Sequence, residues 1–233
     1  MLRKFRSILF TVSFLLVISA SSLGQTSSDA TEVRPKVSLT FDLRPQTRLQ
    51  VFGGGQSGDD VQWKLGAILS YRMKRLVLRR PKEIDEENEH ALVIGAGYEY
   101  VQINESKTKR ENRIIFQGTG RKSPGGAFLI TDRNRLEFRF INGVYNFRYR
   151  NKLVADHAFL VNKFHFTPYA SGELFWDRNH HSWNQNQYGG GVQLPYHPRL
   201  MLDVFFLHQN CTTCSQQHIN VVGLTLNLYF KKK

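Results

Sequence analysis

The segment TDRNRLEFRFINGVYNFRYRN, residues 131–151, alternates charged and apolar side chains on both sides of an Asn-Gly pair. Asn142-Gly143 is the preferred sequence for a two-residue type I′ turn, because both central positions of that turn require positive φ. With this turn, Phe138 faces Phe147 and every other facing pair is likewise apolar with apolar or polar with polar. A register slip of one residue would destroy this sorting. The segment therefore predicts a β-hairpin with one apolar and one charged face.

The same period of two recurs along most of the chain and predicts about ten antiparallel strands, with roughly eight to twelve allowed. Glycine-rich or charged segments separate them, such as GGGQSGDD at residues 53–60 and RRPKEIDEENEH at residues 79–90. Strands of about ten residues cross a bilayer when they are tilted. An even count would place both chain termini on one side, which in this prediction is the periplasm. The predicted strands lie near residues 37–44, 61–72, 92–100, 112–119, 135–140, 145–150, 164–174, 185–194, 200–206 and 222–230.

The first 24 residues have the pattern of a secretory signal peptide, with a basic start, an apolar run at residues 8–20 and small residues after it. That run is too short for a spanning helix, so we expect cleavage near Gln25, with a retained amphipathic anchor as the alternative. Residues 25–36 are polar and predict a disordered leader, which leaves residues 37–233 for the barrel. The formal charge of +13 suits anionic partners. Export argues against nucleic acid as one of them.

Alternation alone does not distinguish a soluble barrel from a membrane barrel, because the two expose opposite faces. Three features favour the membrane: charge at mid-strand on the polar face, aromatic side chains near the ends of the apolar face, and a last strand ending in LTLNLYF. That ending is close to the terminal aromatic signature of outer-membrane barrels, although three lysines follow it. We therefore predict an all-β, antiparallel transmembrane β-barrel in the bacterial outer membrane, with membrane lipid and the barrel-assembly machinery as partners. A soluble periplasmic binding barrel is the alternative.

In the membrane orientation, a charged wall of the barrel would face the interior. A barrel of this size is narrow, so these side chains would largely fill it as an electrostatic plug. The excess of arginine over glutamate keeps a second hypothesis open, a weak path for small anions, because guanidinium groups suit phosphate and carboxylate. The candidate interior residues are Arg133, Arg135, Glu137, Arg139, Arg148, Arg150 and Glu173.

Cys211 and Cys214 lie between His208 and His218 in a predicted loop. Two thiolates and two imidazoles could bind zinc, but an oxidising exterior favours a local disulfide. The sequence therefore predicts a disulfide between the two cysteines, with no metal and no cofactor.

A lipid-modifying enzyme is the catalytic alternative, because some outer-membrane barrels carry a His–Ser pair on the lipid-facing side. One candidate group is His180, His181 and Ser182 in a loop, with Asp177 as the only visible orienting carboxylate. The other is the pair His165 and Ser171, which would lie about 20 Å apart along a strand, too far for one to activate the other. We therefore do not expect enzymatic activity.

The motifs TDRNRLEFRF, NFRYRN, FTPYASGELFWD and QYGGGVQL resemble the bacterial outer-membrane-barrel family catalogued as domain of unknown function 2490. Members typically show an Arg-rich strand, a following Arg-x-Arg strand, a strand with Tyr and Glu, and a glycine strand preceded by Asn-Arg. This chain departs from the last motif with Asn186-Gln187. The resemblance covers residues 113–230 and implies a barrel in the outer membrane. The family has no assigned activity, so the resemblance implies no chemistry.

Overall fold

The computed structural model of the protein describes residues 29–58, 61–76, 85–104, 109–162, 164–214 and 216–231. In these ranges the chain forms two short 3-10 helices, Glu86–Glu89 and Arg178–His180, and twelve strands. Within the described residues, no helix is long and apolar enough to cross a membrane. The strands are β1 Asp29–Arg44, β2 Thr47–Gln56, β3 Val61–Arg75, β4 His90–Asn104, β5 Lys109–Lys122, β6 Phe128–Ile141, β7 Val144–His157, β8 Phe159–Val161, β9 Phe164–Asp177, β10 Ser182–His197, β11 Leu200–Cys211 and β12 His218–Phe230.

Eleven of the described strands close into a barrel. Each strand from β1 to β6 pairs with the next, β7 pairs with β9, and β9 to β12 continue in chain order. The short β8 pairs only with the start of β9 among the described strands. β12 pairs with β1 and closes the barrel, and this pairing is parallel whereas the other strand pairs of the barrel are antiparallel.

The eleven strands of the barrel fall within the predicted range of eight to twelve, and the antiparallel prediction fails only at the closing pair. Sequence reasoning missed β2, because its Gly53, Gly54 and Gly55 are typical of a break and not of a strand. An odd number of strands joined by hairpins leaves the first and the last strand pointing the same way, so the closing pair must be parallel. The start of β1 and the end of β12 consequently lie at opposite ends of the barrel, and the prediction of both on one side is wrong.

The β6–β7 hairpin has the predicted register. Phe138 pairs with Phe147 and Glu137 pairs with Arg148. Both turn residues have positive φ, 48° for Asn142 and 85° for Gly143, as the type I′ turn requires. We call the end of the barrel with this turn the hairpin end, and the end with the β1–β2 connection the opposite end.

The N-terminal predictions fall partly outside the described residues. The signal peptide and residues 25–28 of the predicted leader lie outside them, but residues 29–36 belong to β1 and are not a disordered leader. Their polar composition has a structural reason. Glu32 faces the interior and forms an ion pair of 2.6 Å with Arg34, whereas the intervening Val33 is exposed on the outer face.

The barrel carries its polar face inside and its apolar face outside. Phe138 and Phe147 lie on the outer face, with their ring centroids 5.4 Å apart. The ring of Phe138 also contacts Phe116, and the ring of Phe147 contacts Trp176. Apolar side chains fill the centre of a soluble barrel; here the centre is mixed, with buried Ile68, Ile115 and Phe175 beside the charged groups. Buried polar residues of the interior include Ser38, Arg48, Arg72, Glu99, Glu111, Glu137 and Glu173. Exposed apolar residues include Val37, Leu65, Leu69, Ile94, Ile114, Phe116, Leu136, Leu174, Val204 and Phe206.

Gly97 of β4 lies where neighbouring strands leave no room for a side chain. A Cβ at this position would come within 2.3 Å of the carbonyl oxygen of Ala67 on β3, whereas a Cβ at Gly118 of β5 would meet nothing within 4 Å. We expect Gly97→Ala to lower the free energy of unfolding by about 1–3 kcal/mol, because the backbone must shift. The matched Gly118→Ala should change it by less than about 0.5 kcal/mol. Urea unfolding, followed by the gel mobility of the folded barrel, measures both; equal effects would contradict the close approach.

Candidate functional site in the barrel interior

An interior cavity of about 460 Å³ is lined by side chains from most strands of the barrel. Acidic side chains of its described lining are Asp85, Glu87, Glu99, Glu173 and Asp203. Basic side chains are twice as many, so the described wall carries a surplus of positive charge. The basic side chains are Arg34, Lys36, Arg48, Lys64, Arg113, Arg121, Arg133, Arg135, Arg150 and Lys152.

The hairpin-end cluster consists of Glu111, Arg113, Arg139, Arg148 and Asp177, which come from β5, β6, β7 and β9. Glu111 is 1% exposed and accepts hydrogen bonds from Arg113 at 2.6 and 2.9 Å. Arg139 also donates two hydrogen bonds to Glu111, one of them at 3.1 Å. Asp177 accepts from Arg139 at 3.3 Å and from Arg148 at 3.1 Å. This network of ion pairs lies across the interior near the hairpin end.

The central cluster consists of Arg133, Arg135, Glu137, Arg150 and Glu173. Arg150 bridges the two acids, with 2.9 Å to Glu137 and 2.9 Å to Glu173. Arg133 and Arg135 are held less closely, at 3.5 Å from Glu173 and 3.9 Å from Glu137 respectively. The strand register also places Arg135 directly opposite Arg150. Like charges facing each other across two strands repel, so this cluster is only partly compensated.

Three lysines line the cavity, and none of them forms an ion pair with a described carboxylate: Lys36 of β1, Lys64 of β3 and Lys152 of β7. The ammonium group of Lys36 lies 4.9 Å from the ring centroid of Phe52, a cation–π contact. Lys152 lies in register between Arg133 and Glu173. The uncompensated charge of the cavity is therefore concentrated on these lysines and on the two loosely held arginines of the central cluster.

The opposite-end cluster consists of Arg48, Arg121, Asp42, Asp85 and Glu87. The side chain of Arg48 is 3% exposed and contacts Asp42 at 3.0 Å, Asp85 at 2.5 Å and Glu87 at 3.4 Å. Arg121 contacts Glu87 at 2.9 Å. Burial would raise the pKa of Asp85, but the Arg48 guanidinium beside it holds this pKa below its usual range. Since Asp85 and Glu87 come from the β3–β4 connection, that connection reaches into the interior at the opposite end.

The structure places every predicted interior residue on the inward face and divides them between two clusters. Arg139 and Arg148 belong to the hairpin-end cluster, and the other five form the central cluster. Sequence reasoning missed Lys36, which it assigned to the leader, and it missed Lys64, Glu111 and Arg113 as members of a charged interior. The alternation of β3 holds the signal for Lys64, which lies between the outward Trp63 and Leu65. On β5, Arg113 precedes the outward Ile114, and Glu111 lies two positions before Arg113 on the same face.

Cys211 and Cys214 are joined by a disulfide bond at the hairpin end. The nearby histidines form hydrogen bonds with asparagine side chains. His208 contacts Asn210 and Asn220, each at 2.9 Å, and His218 contacts Asn210 at 2.8 Å. Within the described part of the chain, no group of three metal-ligating side chains is arranged to hold a metal ion.

The residues of the hydrolase alternative are divided between the inward face of β9 and the β9–β10 connection. Asp177 belongs to the interior and accepts hydrogen bonds from Asn146 as well as from the two arginines described above. His180 and His181 are exposed in the β9–β10 connection. His165 and Ser171 lie six positions apart on β9. Among the described residues, the hydrogen bonds of Asp177 go to interior groups and to the backbone of Asn179.

A polar patch interrupts the apolar outer face on β6 and β7. Asn151 donates hydrogen bonds to Asp132 at 2.7 Å and to Asn134 at 3.0 Å, and Asn134 donates to Asp132 at 3.2 Å. Tyr149 also donates a hydrogen bond to Asn134. These side chains satisfy one another, which reduces the cost of placing them on an apolar surface.

Comparison with known proteins gives a family but no activity. No curated protein matches the chain. A family model described as a protein of unknown function (DUF2490) matches residues 35–220, which is most of the barrel. This match confirms the resemblance seen in the arginine-rich and glycine-rich strands, and the chain therefore belongs to the DUF2490 family of proteins of unknown function.

Proposed function

We propose that the protein is an integral outer-membrane β-barrel whose interior is a structural, ion-paired plug. The observation that carries the proposal is the inside-out wall, with half-exposed apolar side chains along the middle of the strands and charged side chains buried within. In water such a surface would leave a large apolar area exposed. In a bilayer the same surface faces hydrocarbon, and closure of the sheet pairs its first strand with its last, so the barrel has no open edge.

Charge compensation supports a plug in preference to an open pore. The hairpin-end cluster and the opposite-end cluster pair buried or half-buried arginines with carboxylates on either side of the cavity. Breaking such pairs is costly, so the two clusters resist the passage of solutes. The surplus of positive charge between them favours the second candidate function, a weak anion-selective path.

Fractionation tests the location. We expect the protein to sediment with the outer membrane, to require detergent for extraction, and to migrate faster on a gel when unheated than when boiled. The physical reason is that a closed barrel with an apolar belt stays folded in detergent until it is heated. Release by high salt or carbonate, with no difference between unheated and boiled samples, would instead establish the soluble alternative.

Planar-bilayer recording separates the plug from the anion path. For the wild type we expect a quiet baseline, because both ends of the interior hold ion-paired side chains. The double variant Arg135→Ser/Arg148→Ser serves as the comparison. Anion-selective steps in the wild type that disappear in this variant would overturn the plug and support conduction.

A further inference from the structure

We propose that the cavity binds a multivalent oxyanion, a small molecule or ion with phosphate-like groups carrying two or more negative charges. Its ligands are Lys36, Lys64, Lys152, Arg133 and Arg135, which are the cavity cations that the protein leaves unpaired or loosely paired. The inference rests on the proposed function in that it requires the barrel to fold around its charged interior.

The first argument is the missing counter-charge. The two end clusters pair their arginines at 2.5–3.4 Å, but the three lysines form no ion pair with a described carboxylate. A charge removed from bulk water without a partner is unfavourable. A lysine can escape by losing its proton, whereas an arginine cannot. Arg133 and Arg135 therefore stay charged although their nearest carboxylates are 3.5 and 3.9 Å away, and Arg135 has a buried Nε with no hydrogen-bond partner.

The second argument is convergence from opposite walls. Lys36 of β1 and Lys64 of β3 both pair in register with Gly54 of β2, so no side chain lies between them on the inner face. Arg133 and Arg135 of β6 line the same cavity from the other side of the barrel. The wall formed by β1 and β3 and the wall formed by β6 thus both present positive charge to the cavity. A site for an anion with several charged oxygens requires this arrangement.

The third argument is size and ligand chemistry. A cavity of about 460 Å³ lies within the range of small-molecule pockets, roughly 300–1,000 Å³. Guanidinium groups bind phosphate with two parallel hydrogen bonds, and ammonium groups act as point charges beside them. A mixed set of two arginines and three lysines therefore suits a compact polyanion better than a monovalent ion.

Calorimetric titration of the folded, full-length barrel in a neutral detergent tests the proposal, with sodium pyrophosphate as the probe. We expect saturable binding of one pyrophosphate per barrel and at least about tenfold weaker binding of acetate, a monovalent oxyanion. Lys64→Met should weaken pyrophosphate binding about tenfold, and the triple variant Lys36→Met/Lys64→Met/Lys152→Met should abolish it. Lys122→Met, which removes an exposed cation at the end of β5, is the matched control and should bind as the wild type does.

The urea concentration at the midpoint of unfolding is a second measurement. It tests the site even if one variant binds pyrophosphate poorly for a reason unrelated to the site. Without anions, the triple variant should be at least as stable as the wild type, because it removes like-charge repulsion. Pyrophosphate should raise the midpoint of the wild type and leave that of the triple variant unchanged.

Several outcomes would overturn the site. The first three are no saturable binding of pyrophosphate by the wild type, equal affinities for acetate and pyrophosphate, and equal effects of Lys64→Met and Lys122→Met on the affinity for pyrophosphate. The fourth is displacement of pyrophosphate by phosphatidic acid in the micelle, which would locate the probe on the outer surface. The fractionation experiment tests the proposed function independently of the anion site. Pyrophosphate binding by a protein that does not fractionate with the outer membrane would overturn the location and leave the anion site standing.

Discussion

Glu111→Gln is expected to lower the free energy of unfolding by about 3–5 kcal/mol, because it removes one partner of a buried ionic network. Glu111 is 1% exposed and accepts hydrogen bonds from both Arg113 and Arg139. A neutral amide has the same size but leaves two buried guanidinium groups without their shared carboxylate. The expected result is a large drop in the urea concentration at which the barrel unfolds, read from the mobility of unheated samples on a gel.

Glu89→Gln is the matched control for this change. Glu89 also pairs with an arginine, at 2.6 Å from Arg75, but the Arg75 side chain is 72% exposed. An exposed pair contributes only about 0–1 kcal/mol, since water screens it. If Glu111→Gln and Glu89→Gln unfold at the same urea concentration, the hairpin-end cluster does not stabilise the barrel.

Leu69→Arg is expected to destabilise a membrane-inserted barrel by about 2–4 kcal/mol, because it places a guanidinium group on the outer face near the middle of β3. Val61→Arg provides a control on the same face of the same strand, at its first residue. The two native side chains are almost equally exposed, 50% for Leu69 and 51% for Val61. At the strand end the same substitution should cost only about 0–1 kcal/mol, because the charge reaches the interface.

Because exposure is matched, the difference between these two variants reports the surrounding medium. In a soluble barrel, both positions would face water and both substitutions would fall within about 0.5 kcal/mol of the wild type. The measurement is reversible unfolding after insertion into lipid vesicles. A zero difference between Leu69→Arg and Val61→Arg would count against the bilayer and for the soluble periplasmic barrel.

The sequence predicted the parts of the fold that are encoded locally. The β6–β7 hairpin could be placed residue by residue, because its turn chemistry and its alternation specify the same register. β2 was missed because its three consecutive glycines lack the side chains on which a strand prediction depends. That omission also hid the odd strand number, and with it the parallel seam between β1 and β12.

The candidate site was predictable only as an inward face. Alternation identifies the side chains of one face, so the arginines of β6 and β7 could be named from the sequence. Their partners depend on pairing between strands and on connections far apart in the chain. Arg48 meets Asp85 across the opposite end, and Arg34 donates a hydrogen bond to Gln209 of β11 at 3.1 Å. No local pattern encodes such contacts.

The parallel seam has a consequence for the order in which the protein assembles. Asp29 pairs with His218 and Phe41 with Phe230, so the first strand finds its last neighbour only when the final strand has been made. Such distant pairing raises the contact order and delays ring closure to the end of folding. Parallel ladders are also slightly weaker per residue than antiparallel ones. The β1–β12 pair, which forms last, is therefore where we expect the barrel to open first when it unfolds.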